Sequence, residues 1–241
     1  MDDTATHPSN RTDTLPRGGG GTRSDNLRPA PAAHLRPAPA DHPIHPLIAS
    51  RWSPRAIDPR PVEPELICRL FEAARWAPSS FNEQPWVFLV ASRRESPEWH
   101  ERLAGFLKEG NAWARSAPLL IASAFRTTLS RNGKPNTQAR RDLGAAEENL
   151  CLQAWASGLV THQMGGFDQE RLARELFPDS PDADLEPGTM IAIGYPGDPA
   201  ALPDDLRERE GRPRKRKTLD AFVFGERWGA PAPFLPVSED G

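Results

Sequence analysis

The sequence predicts an α+β fold, a small sheet flanked by helices that outnumber its strands. Three observations predict it. Apolar runs of strand length stand at residues 86–93 (WVFLVASR), 118–125 (PLLIASAF) and 189–195 (TMIAIGY). Between them, apolar residues recur every three or four positions, over the longest stretch at residues 139–157. The two kinds of segment follow one another as helix, strand, helix, strand, helix, helix, strand, strand. That order suits helices packed on a sheet and is too irregular for a barrel.

Residues 1–46 stand apart. They contain no Phe, Trp or Tyr, run through Gly18-Gly19-Gly20-Gly21 and repeat RPAP, so they are expected to be a disordered extension. Nothing there would order His34, His42 or His45 into a metal site. The folded domain is expected over residues 47–228, with 229–241 as a tail. Its first helix shows Leu66, Ile67, Leu70, Phe71 and Ala74 on one face, opened by Glu63-Pro64 and stopped by Pro78. The strand at 86–93 follows, then a short helix carrying Trp99, Leu103 and Leu107, then the strand at 118–125. Asn132-Gly133 marks an exposed turn. The long helix places Leu143, Ala146, Leu150 and Ala154 in register and ends at Gly158. Asp168 caps a further helix that Pro178 stops. After the strand at 189–195, GDPAALPDDLRERE reads as polar loop and TLDAFVF as a last short strand.

Composition removes several functions. The chain has 241 residues, 30 basic against 33 acidic, so a globally basic nucleic-acid binder is disfavoured. Two cysteines, Cys68 and Cys151, exclude a disulfide scaffold and read as inert residues on apolar helix faces. No apolar run approaches the ~18 residues of a membrane span, and a cytoplasmic protein without membrane or nucleic-acid partners is expected. G-x-S-x-G, H-E-x-x-H and zinc-type Cys/His spacing are absent. His162 reads as a structural loop histidine.

Four polar pieces remain. In SRWSPRAID, an extended backbone puts Arg51, Ser53 and Arg55 on one side, two guanidiniums and a hydroxyl suited to phosphate or carboxylate, or else a solvated loop. APSSFNEQPW concentrates Ser79, Ser80, Asn82 and Gln84 between two apolar elements, where they suit the edge of a planar heterocycle or a tight turn. Gly165-Gly166 permits close backbone approach to a ligand, without dinucleotide-fingerprint spacing. Arg212, Arg214, Lys215, Arg216 and Lys217 form a basic run anchored ahead of an apolar stretch. Polar groups for an anionic planar ligand, with no nucleophile among them, point to a bound cofactor that carries the chemistry.

In this order the pieces resemble the nitroreductase family of FMN-dependent oxidoreductases, over residues 47–226. ASRWSPRAID resembles its opening arginine motif, APSSFNEQPWVFLV its most specific signature, DLGAAEENLCLQAWASGLVT its central helix, LEPGTMIAIGYPG its late strand and RKRKTLDAFVF its C-terminal basic motif. The resemblance implies a nitroreductase-like fold with a central mixed or antiparallel sheet, and an intertwined homodimer with FMN at the interface. It implies that Arg51, Trp52, Ser53 and Arg55 hold the phosphate and flavin edge. Pro78, Ser79, Ser80, Asn82 and Gln84 would approach from the second subunit, and Gly165 and Gly166 would lie against the isoalloxazine. Arg216 and Lys217, with Lys215 as the alternative, would close on the phosphate. The implied activity is ping-pong electron transfer from NADPH or NADH through FMN to a nitroaromatic, quinone or similar small acceptor. Alternatives are a specialised flavin enzyme of the same fold (a dehalogenase, heterocycle oxidase or flavin-destroying enzyme) or a non-catalytic flavin-binding protein. The sequence departs from the family at Trp52, where relatives often carry Arg or His, and at Gly165, where some carry Glu. Residues 126–140 are short and polar, leaving little room for a lid.

Overall fold

A computed structural model describes residues 36–177 and 184–235. The expectations for residues 1–35, for Pro178 and for the end of the C-terminal tail therefore lie outside the described residues.

The helices are α1 (Pro46–Ser50), α2 (Pro64–Arg75), α3 (Pro97–Ala104), α4 (Ala139–Ala156), α5 (Gln169–Leu176) and α6 (Asp204–Gly211). The strands are β1 (Ile57–Asp58), β2 (Trp86–Ser92), β3 (Leu119–Arg126), β4 (Val160–Met164) and β5 (Leu185–Pro196). Every pairing is antiparallel: β2 with β3, β3 with β5, and β5 along its other edge with β4 and then β1. The parallel component that a mixed sheet would need is absent among the described strands.

Alternation along the two central strands explains the layering. Leu120 and Ala122 of β3, with Met190 and Ala192 of β5, face one core that Leu103 of α3 and Leu172 of α5 close together with Phe106 and Phe167 from the adjoining loops. Leu119 and Ile121, with Ile191 and Ile193, face a second core closed by Leu70 and Ala74 of α2 and Ala146, Leu150 and Ala154 of α4. Both faces are covered, so these strands read as continuous apolar runs instead of alternating ones. Leu70, Leu120, Ile121 and Leu150 are fully buried, and each contributes roughly 1.5–3 kcal/mol of apolar burial.

The structure departs from the sequence expectation at several elements, the short α1 and the two-residue β1 among them. β4 was not expected: VTHQM carries Thr161, His162 and Gln163, yet it pairs with β5 from Val160↔Gly194 to Met164↔Met190. β5 starts earlier than residue 189: Pro187 pairs with Ala124 and Met190 with Ala122, and a bulge at Gly188 and Thr189 between them lets the strand run through residues that would otherwise weaken it. Ser123 fills the break: its Oγ accepts the Thr189 N–H at 2.8 Å and donates to the buried Glu147 carboxylate at 2.6 Å. Part of the supposed polar loop after β5 folds as α6, with Asp204 and Asp205 in its first turn favoured by the helix dipole. TLDAFVF forms a 3-10 turn at Leu219–Ala221 and one isolated bridge, Phe224↔Pro231, in place of a strand.

Described contacts also begin ahead of Leu47. The Arg36 guanidinium donates to the carbonyls of Gly211 (3.1 Å) and Arg212 (2.5 Å) and lies 4.9 Å from the Trp52 ring centre.

Candidate functional site

Between α1 and β1 the chain is irregular through residues 51–56, with a bend at Arg55, and Pro54 has no N–H to give to a ladder. Its polar backbone groups are met by side chains from the C-terminal region. Glu210 of α6 accepts the Arg55 N–H with both carboxylate oxygens (3.1 and 2.9 Å) and the Ala56 N–H at 3.2 Å. Arg214 donates to the carbonyls of Arg36 (2.6 Å), Ala49 (2.8 Å) and Arg51 (3.1 Å).

These contacts gather cations. Burial first, then repulsion from Arg51, Arg216 and Arg36, lowers the Arg214 pKa, so the four guanidiniums share one electrostatic neighbourhood. Among the described residues the ion pair within this group is Arg51 Nε to Glu148 Oε1 at 3.4 Å, and that carboxylate is half-exposed. Clustered guanidiniums with so little counter-charge suit a multiply charged oxyanion. Of the expected basic run, Arg216 is close enough to Arg214 to lower its pKa, while Lys215, Arg216 and Lys217 are all exposed and have no ion pair among the described residues. Arg214 and Glu210 were missed. Arg214 was one residue among many in a basic run, and nothing in RERE marks a glutamate that becomes 95% buried.

The loop between α2 and β2 is the second piece. Phe81, Asn82 and Gln84 all take left-handed backbone angles (φ 55°, 58° and 48°), and Phe81 there is 72% exposed. Strain of this kind in non-glycine residues persists only when the surroundings enforce it. Two contacts do so: the Ser80 N–H donates to the buried Asp142 of α4 at 2.8 Å, and the Gln84 N–H to Ser79 Oγ at 3.0 Å. Pro78, Asn82 and Gln84 are exposed, Ser79 and Ser80 half-buried. Helix α4 thus carries both pieces, holding the Ser80 loop through Asp142 and Arg51 through Glu148.

Gly165 and Gly166 follow β4. The Gly166 carbonyl accepts the Lys108 N–H at 3.1 Å and Asn111 Nδ2 at 3.0 Å, and a Cβ at Gly166 would fall 2.6 Å from that nitrogen. Gly165 is exposed, with open space where its Cβ would stand.

His162, expected in a loop, sits on β4 behind the arginine segment. Its Nδ1 lies 3.1 Å from the Pro54 carbonyl, which can only accept, so Nδ1 carries the proton. Burial, aided by the Arg55 charge and opposed by the Pro54 carbonyl, lowers its pKa to about 4. Trp113 meets the ring edge-on at 4.8 Å, and its buried indole N–H has no acceptor among the described residues. Arg55 and Trp113 also line a cleft of about 370 Å³. Phe125 is core, 4% exposed. Cys151 is buried and burial pushes its thiol pKa up, but Cys68 is exposed on α2, off the apolar face assigned to it. Among the described residues no group of His, Cys, Asp and Glu could hold a metal, and no helix is long and apolar enough to cross a membrane.

Known proteins share this fold. A crystal structure described as an oxidoreductase containing FMN superposes with a TM-score of 0.73 at 37% identity, covering 80% of this chain and 96% of its own. A provisionally named nitroreductase from Desulfovibrio desulfuricans, solved with FMN, gives 0.58 at 26% identity and covers 77% of this chain and 99% of its own. A Streptomyces coelicolor protein provisionally named NADH dehydrogenase/NAD(P)H nitroreductase is 30% identical over 168 residues, 61% of this chain and 82% of that one. An uncharacterized 15.4 kDa Mycolicibacterium smegmatis protein is 38% identical over 132 residues, 54% of this chain and 84% of its own. The sequence pattern of the Nitroreductase family matches residues 48–195, from α1 to the end of β5, and on that match the chain belongs to the nitroreductase family.

Proposed function

We propose that the protein is an FMN-dependent oxidoreductase that draws electrons from NADPH or NADH and delivers them to a nitroaromatic, quinone or similar small acceptor. The observation that carries the reading is the cluster of Arg36, Arg51, Arg214 and Arg216 with so little counter-charge, a fit to the nearly dianionic FMN phosphate. The solved FMN complex of a relative supports the same cofactor. Bound FMN supplies hydride acceptance and release in a ping-pong cycle, so no side chain need act as nucleophile.

The chain's own residues bind and orient. Arg51 and Arg216 hold the phosphate, with Arg214 beside them and Lys217 within reach along the chain. Trp52, Ser53 and Arg55 line the flavin edge. Gly165 and Gly166 offer backbone against the ring system without a Cβ in the way. Pro78, Ser79, Ser80, Asn82 and Gln84 of a second subunit complete the site in a homodimer. Exposed apolar side chains at Trp76, Phe81, Phe222, Trp228 and Phe234 support such a dimer. The reading carries with it a cytoplasmic location, where reduced nicotinamides are available.

The test is anaerobic titration of the FMN-loaded protein with NADPH and then NADH, followed by a quinone or nitroaromatic. Bleaching of the flavin band and its return with the acceptor are expected. A flavin that neither donor bleaches would leave a flavin-binding protein without this catalysis.

A further inference from the structure

The residues that shape the arginine segment come from outside the part of the chain that matches the family. That match spans residues 48–195, whereas Arg36 precedes it and Glu210 and Arg214 follow it. The three interlock. Arg36 donates to the carbonyls of Gly211 and Arg212, and Arg214, two residues on, donates back to the Arg36 carbonyl. Arg214 reaches on to the carbonyls of Ala49 and Arg51, while Glu210 accepts the N–H groups of Arg55 and Ala56. Arg36 covers the Trp52 ring between them. Both ends of the segment are therefore held by its backbone, and the clasp uses none of the side chains of Arg51, Ser53 and Arg55.

We propose that Arg36, Glu210 and Arg214 form a cofactor-retention clasp, positioning residues that keep the 51–56 segment in its phosphate-binding shape. The proposal rests on the FMN reading above. It gives residues 36–46 a task, where the sequence alone suggests a dispensable extension. It also makes binding reciprocal: closing the clasp draws Arg36, Arg51 and Arg214 together against their repulsion, and a bound dianion relieves it.

Two variants separate the clasp from plain electrostatics. Glu210→Ala deletes a negative charge near the cations, so charge alone would tighten FMN binding, whereas loss of the clasp weakens it. Arg36→Lys keeps the charge but loses the guanidinium plane that lies over the Trp52 ring while its Nη2 donates to both carbonyls, and Arg36 is partly exposed, so the fold should tolerate the change. FMN affinity is read by quenching of flavin fluorescence, with the melting temperature of the FMN-free protein measured alongside. The expected result is an FMN Kd raised about tenfold or more in both variants, with Glu210→Gln, which keeps an acceptor oxygen, in between. For Arg36→Lys the FMN-free melting temperature should stay at the wild-type value, so that the loss lies in FMN binding and not in the fold. Wild-type Kd in Arg36→Lys together with unchanged or tighter binding in Glu210→Ala would overturn the clasp. Should Glu210→Ala fail to fold, Arg36→Lys decides alone. A wild-type protein that binds no FMN would overturn the FMN reading and the clasp with it, whereas tight binding in wild type and variants alike would overturn the clasp only.

Discussion

His162 makes the arginine segment sensitive to acid, and the size of the effect follows from its surroundings. The ring is neutral in the folded protein because its pKa is lowered from 6.5 to about 4, mainly by burial. In the unfolded chain the same ring titrates near the ordinary value, so between these pH values the unfolded state binds a proton that the folded state does not. Stability should therefore be level above about pH 6.5, fall between about 6.5 and 4, and level off again below for this group. At about 1.4 kcal/mol per pKa unit the full loss is roughly 3 kcal/mol, most of it present by pH 4.5. A charged ring would also stand next to Arg55, so the same titration should loosen residues 53–55 and release cofactor. The assay is urea unfolding at constant ionic strength at pH 7.5, 5.5 and 4.5, for wild type and His162→Gln. Wild type should lose about 2–3 kcal/mol more than the variant across this range. Parallel pH profiles for the two proteins would refute the argument.

Three further substitutions test other parts of the site. Arg51→Ala should release FMN while leaving the far-ultraviolet circular dichroism unchanged, because among the described residues its side chain pairs with the half-exposed Glu148 alone; stoichiometric flavin in the purified variant would remove Arg51 from the site. Asp142→Ala strips the Ser80 N–H of its charged acceptor, at a cost of about 1.5–3 kcal/mol in chemical denaturation, and should weaken FMN binding by freeing the strained 80–84 loop. Gly188→Ala places a methyl group against Leu143 and the Ser123 hydroxyl and should cost about 1–3 kcal/mol by thermal melting, with FMN affinity in the surviving fold unchanged.

Much of the fold is legible because its elements are buried on apolar faces. The β2 and β3 runs and the α4 repeat at Leu143, Ala146, Leu150 and Ala154 carry their own periodicity into the core. β4 is not legible, since its place in the sheet comes from pairing with β5 and its polar residues are met by tertiary partners, as His162 is by Pro54. The start of β5 is hidden for a related reason: Pro187 and Gly188 read as a break, and the strand runs on only through a bulge in which Ser123 Oγ accepts the Thr189 N–H. In the site, Arg51 and the 78–84 loop show in the sequence as concentrated polar residues between apolar elements. Glu210 does not, because a buried glutamate in a polar helix leaves no mark until residues 55 and 56 are brought to it. Arg214 stood in plain view, but only tertiary contacts distinguish it from Lys215 and Lys217 as the arginine that reaches the segment.

The central claim is that this arginine cluster receives the FMN phosphate, and comparing FMN with riboflavin tests it most directly. The two ligands share the ring system and differ in the phosphate. Charge-assisted hydrogen bonds from two guanidiniums, at about 1.5–3 kcal/mol each, imply at least about 100-fold tighter binding of FMN, with a preference that shrinks as salt is raised. Equal affinity for riboflavin and FMN, insensitive to salt, would contradict the account.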